Sequence, residues 1–167
     1  MEVRAFGNQE AEASVEAQDP SVPHSAAWLG GLGAAPFIGL AGAIPFLEGE
    51  PRRFAAHALA AYGATILSFL GGVHWGLAIG SQGRPVSGNL PQRLILSVVP
   101  SLAGWAALLV AEKTGFFVLA LAFAAMLGVD IWATRVGQAP EWYPKLRIPL
   151  SCVVVAALLF AGILQTT

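Results

Sequence analysis

Five long apolar runs, at residues 28–47, 55–79, 94–111, 115–134 and 148–165, dominate this chain and are separated by short connections that carry most of its charge. At 1.5 Å per residue, each run is long enough to cross a hydrocarbon core of about 30 Å as a helix. Lipid offers backbone N–H and C=O groups no water to bond, so a spanning segment is either a helix or a strand of a closed barrel. Runs rich in Ala and Leu without strict alternation do not fit barrel strands. The reading is an all-α integral membrane protein, with residues 26–167 forming a bundle of five transmembrane helices.

Composition supports the same class. Of the 167 residues, 56% are hydrophobic and 11% are charged, against about 25% charged in a soluble domain. The net charge of -1 and the absence of a basic block argue against a nucleic-acid partner, which needs clustered Lys and Arg to displace counterions. A single cysteine, Cys152, leaves no intrachain disulfide and no Cys-based zinc site. Nor do His, Cys or acidic residues within the spans recur at i, i+3 or i, i+4, so no metal or other cofactor is expected. His57 lies 17 residues from His74, roughly 25 Å along a helix, too far to share a ligand.

Residues 1–25 are different. Glu2, Glu10, Glu12, Glu16 and Asp19 face one base, Arg4, with Pro20 and Pro23 near the end. Such a stretch buries too little apolar surface to offset its ordering entropy and reads as a disordered acidic tail. Its acidic start and the lack of an early compact apolar run do not resemble a secretory signal or a presequence.

Five spans put the termini on opposite faces, so Lys/Arg counts orient the chain. The N-terminal face carries Arg84, Arg93, Arg135, Lys145 and Arg147, and the other face Arg52, Arg53 and Lys113. The expectation is an N-terminus inside and a C-terminus outside.

Helices associate in lipid through close packing of small residues. The second span carries Gly72, Gly76 and Gly80 four apart, with Gly63 and Gly71 toward another side. Matching seams are Ala35, Gly39 and Ala43 in the first span and Ala120, Ala124 and Gly128 in the fourth. These predict packing within the monomer, with a homodimer as the alternative. Pro36 and Pro100 each remove a helix hydrogen bond and predict kinks.

His74 and Asp130 are the ionisable side chains well inside a span, a costly position that marks candidate functional residues. His74 lies six residues before Gly80 and Asp130 six before Val136, on helices that run toward the same face, so both sit roughly 9 Å deep. Ser97 and Ser101 enter from that face at about 6 and 12 Å. A His–Asp pair there suits a proton relay, while a polar clamp is the plainer alternative. A hydrolase built from a serine, His74 and Asp130 is disfavoured, because no Gly-x-Ser-x-Gly elbow is present and Pro100 accounts for both serines. Trp75, Trp142, Tyr143 and Arg147 gather toward the same face. They read as headgroup anchors or as a contact for a partner protein.

The stretch Ala61-Tyr62-Gly63-Ala64-Thr65-Ile66-Leu67-Ser68-Phe69-Leu70-Gly71-Gly72-Val73-His74-Trp75-Gly76 resembles the core motif of an uncharacterised membrane family, domain of unknown function 3429, which includes transmembrane protein 69-like members. Gly42-Ala43-Ile44-Pro45-Phe46, the segment 97–105 from Ser97 to Trp105, and Trp142-Tyr143 with Leu146-Arg147 match as well. The likeness covers roughly residues 28–165. It implies a small multi-helix protein of the bacterial inner membrane, or of mitochondria in eukaryotic members, and supplies no activity or catalytic residues.

The leading expectation is a nonenzymatic scaffold or assembly component of a membrane complex, surrounded by the lipid bilayer and joined to a membrane-protein partner or a second copy. A small proton-coupled carrier using His74, Ser97, Ser101 and Asp130 is the alternative. It suffers because five spans do not divide into equal repeats. An intramembrane enzyme acting on lipid or quinone is third. No small-molecule ligand is identifiable from the sequence.

Overall fold

The computed structural model describes residues 21–80 and 90–165. Five helices follow one another: α1 (His24–Ala43), α2 (Gly49–Gly80), α3 (Leu90–Leu109), α4 (Glu112–Arg135) and α5 (Tyr143–Leu164), with a 3-10 turn at Ile44–Phe46 after α1. Among the described residues there is no strand, and all five helices are long and apolar enough to cross a membrane. Of the expected acidic tail, residues 1–25, positions 1–20 lie outside the described residues, as do the loop residues 81–89, while His24 and Ser25 belong to α1.

The helices form a closed ring in chain order, α1 returning to α5, while α2 also leans inward against α4. Phe37 of α1, Leu59 and Leu67 of α2, Phe116, Leu119 and Phe123 of α4, and Leu158 of α5 fill the middle and are fully buried. Phe37 is the hinge of this packing. Its ring lies 5.8 Å from Phe123 in an edge-on arrangement and 5.1 Å from the tilted ring of Tyr62. The Tyr62 hydroxyl donates to the Gly33 carbonyl at 3.0 Å, satisfying its polar tip beside Pro36. Leu32, Phe54, Leu121 and Ile163 point outward, as lipid-facing residues of a spanning bundle should.

All five helices begin earlier than the expected spans, by three to six residues, and the second and fifth shift most. The second span, expected at 55–79, is 32 residues long, starting at Gly49 in the left-handed region with φ 59°. The fifth, expected at 148, begins five residues earlier at Tyr143. Pro144 sits in its first turn, where the missing N–H costs nothing. The connection before it is correspondingly short. Gly137, with φ 73°, ends α4: its N–H donates to Thr134 O at 3.0 Å and that of Gln138 to Ala133 O at 2.8 Å. This is a Schellman closure, which needs a glycine at that position.

The small-residue seams are redistributed. Gly63 and Gly71 do face neighbours, and a Cβ at Gly71 would strike the Ser97 carbonyl oxygen of α3. Gly72, Gly76 and Gly80 are exposed, and a Cβ there meets nothing within 4 Å. The same holds for Gly39 and Gly128. The expected packing role of Gly72, Gly76 and Gly80 within the monomer is therefore corrected. Four-residue spacing defines a helix face, but rotation decides which face meets protein, and α2 presents Ala60, Gly63, Ala64, Leu67 and Gly71 instead.

Candidate functional site

Asp130 stands five residues before the end of α4 and is completely buried. A carboxylate in hydrocarbon requires compensating donors. Two helices supply them. His74 of α2 donates through Nε2 to Asp130 Oδ1 at 2.7 Å, and Arg147 of α5 donates through Nε to Asp130 Oδ2 at 2.6 Å. Both partners are themselves buried. The Tyr143 side chain lies against the same carboxylate. Thus α2, α4 and α5 are joined by one anion at the end of the bundle where α1 begins and α4 stops.

The equal depth of His74 and Asp130 expected from their positions becomes direct contact, because both helices turn these residues inward. Ser97 is buried on the α3 face against α2, but its hydroxyl donates to the Leu94 carbonyl of its own helix at 2.6 Å. It therefore sits as a helix-satisfied hydroxyl rather than as His74's partner. Ser101, one turn further on, is half-buried. Trp75 is 43% exposed and faces outward. Trp142 and Tyr143 stack edge-on at 6.0 Å at the start of α5.

Arg147 requires a correction. It was expected in a headgroup-facing loop, yet it is 8% exposed and occupied by Asp130. The extension of α5 to Tyr143 carries it inside: four residues into the helix places it about 6 Å from the end, close to the depth of Asp130. Neither Arg93 nor Arg135, nearer Asp130's boundary in the sequence, takes that role. Arg93 instead donates to the Leu77 carbonyl at 3.1 Å.

Ser151 is a further member that sequence reasoning missed. It follows Arg147 by one turn, is 1% exposed, and lines with Tyr143 and Arg147 a cavity of about 460 Å³ between α1 and α5. The signal was present as Tyr143-x-x-x-Arg147-x-x-x-Ser151, a polar row at helical spacing crossing into an apolar run. Among the described residues, no group of three or more His, Cys, Asp or Glu side chains could hold a metal ion.

A family model for a protein of unknown function, DUF3429, matches residues 22–163, which include every member of this cluster. The chain belongs to the DUF3429 family. Similar proteins include transmembrane protein 69 of Xenopus tropicalis, 37% identical over 136 residues, covering 73% of this chain and 51% of that protein. Transmembrane protein 69 of Mus musculus is 29% identical over 139 residues, covering 77% of this chain and 55% of that protein. The chain spans about half the length of these curated relatives. No solved structure matches. Family, relatives and five membrane-length helices together make this DUF3429 chain a multi-pass membrane protein.

Proposed function

We propose that this DUF3429 protein is a nonenzymatic scaffold or assembly component of a membrane complex, with His74, Asp130 and Arg147 as its internal clamp. The supporting observation is that both Asp130 oxygens are occupied by cross-helix donors. A carboxylate so committed rigidifies a three-helix junction and holds the outer faces in one arrangement. Such a preorganised surface is what a partner helix needs. The setting we infer is the bacterial inner membrane, or a mitochondrial membrane in a eukaryote, with the N-terminus inside. With Arg147 withdrawn into the bundle, the Lys/Arg bias narrows to four against three. A cytoplasm-only reporter fused to Thr167 tests the orientation, and activity there reverses it.

Native mass spectrometry of the gently extracted protein tests the assembly reading. A stoichiometric partner protein is expected. Recovery only as a lone chain, under conditions that keep known membrane complexes intact, removes it.

A proton-coupled carrier is the second reading, favoured by the 2.7 Å contact between His74 and Asp130. Imidazole against carboxylate is a proton-exchanging pair. Purified protein in liposomes bearing a pH gradient would then move a solute, and His74→Gln would stop it while leaving the fold intact. Undiminished flux in that variant rejects the relay.

A further inference from the structure

The cavity beside the clamp has properties that the clamp does not use. Its volume of about 460 Å³ lies within the range of small-molecule sites. Leu29 of α1, Phe69 and Val73 of α2 and Leu150 of α5 give it apolar walls, and Gly33 leaves open space on the α1 side. Trp142, Tyr143, Arg147 and Ser151 carry the polar side-chain groups of its lining.

Two of these residues have a buried polar atom with no partner among the described residues: Arg147 Nη2 and Ser151 Oγ. Serine and threonine in a membrane helix ordinarily bond a carbonyl in the preceding turn. Thr65, Ser68, Ser97 and Thr134 all do so here. Ser151 does not. Arg147 is held through Nε by Asp130, which leaves part of its donor fork unused. Unbonded donors in hydrocarbon are costly, so two of them one turn apart, on residues that line the cavity, point to an acceptor that enters from the cavity and displaces the side-chain atoms now covering them.

We propose that this cavity binds an amphiphile with a hydrocarbon tail and a neutral carbonyl-type oxygen at its head. The head accepts hydrogen bonds from Arg147 Nη2 and Ser151 Oγ, and the tail runs inward past Val154 toward Phe37 and Phe123, which also line the cavity. Neutrality follows from charge: Asp130 already balances Arg147, so an anionic head would bring an uncompensated charge into the bundle. A quinone ring and an ester-linked neutral lipid both present this chemistry. The proposal goes beyond the scaffold reading, since it stands or falls whether or not a partner protein is found.

The test is native mass spectrometry of the purified full chain titrated separately with decylubiquinone, dioleoylglycerol and dioleoyl phosphatidate. One saturable equivalent of decylubiquinone or dioleoylglycerol per chain is expected. Retention of the first alone assigns a quinone, of the second alone an ester lipid, and of both a shared carbonyl site. Ser151→Ala is expected to weaken binding about fivefold, the effect of one lost hydrogen bond. Gly33→Leu fills the cavity where a Cβ meets nothing within 4 Å, and should weaken binding more than tenfold with an unchanged thermal transition. No saturable binding of either neutral probe overturns the proposal. So does unchanged affinity in Ser151→Ala, or in a folded Gly33→Leu. Tighter binding of dioleoyl phosphatidate than of both neutral probes overturns the neutral head.

Discussion

The two ends of this bundle are held together by different forces. At one end, Asp130 ties α2, α4 and α5 through His74 and Arg147. At the other, contact depends on closeness of backbone. Gly115 of α4 approaches the Ala107 carbonyl so nearly that an added Cβ would strike it, and Gly162 of α5 lies against Phe116. Arg52 of α2 donates there to the Leu164 carbonyl at 2.6 Å, capping the last turn of α5. Lipid tails are as apolar as leucine, so burial alone does not drive helices together. Charge pairing and close fit are the two alternatives; the Asp130 end adds charge pairing to a close fit of Gly71 against α3, and the other end relies on close fit. The charged end is specific because its donors must meet one carboxylate; the close-fitting end is specific because few residues fit.

The largest test of this contrast is Asp130→Ala. Removing the anion strands a buried guanidinium and an imidazole, and the expected loss is about 3–5 kcal/mol, read as a lowered unfolding midpoint in detergent. A loss below about 1 kcal/mol would mean that the carboxylate is incidental to the junction. Pairing Asp130→Asn with Arg147→Gln sharpens the point. The double variant should be more stable than the sum of the singles predicts, because no orphan charge remains. At the other end, Gly115→Ala should cost about 1–3 kcal/mol by forcing α3 and α4 apart, measured by the same unfolding assay. Tolerance of alanine there would show that this contact yields easily. His74→Gln keeps a donor for Asp130 Oδ1 and should cost about 1 kcal/mol. The smallest effect belongs to Gly76→Ala, on the open face of α2, with a change below about 0.5 kcal/mol. A larger loss in native membranes than in detergent would place another protein on that face.

Much of the fold was legible because membrane physics leaves few options: an apolar run of sufficient length without strand alternation has to be a helix. The shared depth of His74 and Asp130 was legible for the same reason, since rise per residue converts position into depth. What depth does not carry is rotation. It could not say whether those two side chains meet, nor that Gly63 and Gly71 face protein while Gly72 and Gly76 do not. Arg147 was obscured by its neighbours Pro140, Pro144 and Lys145, which read as loop, although a proline in the first turn is compatible with a helix. Ser151 was hidden by ordinariness: a lone serine in an apolar run usually bonds its own helix. Only the missing bond and the adjoining cavity distinguish it.

The length of α2 has a consequence for where the protein is comfortable. Its 32 residues extend about 48 Å, whereas α3, with 20 residues, extends about 30 Å. The shorter helix matches a hydrocarbon slab; the longer one matches the whole bilayer, headgroups included, once it leans by about 25°. The molecule therefore carries two rulers. The short one sets how thick a membrane can be before its polar ends are drawn into hydrocarbon, and the long one keeps Glu50, Arg52 and Arg53 near the water boundary. A bilayer of changed thickness is therefore accommodated chiefly by the lean of α2, the helix that carries His74.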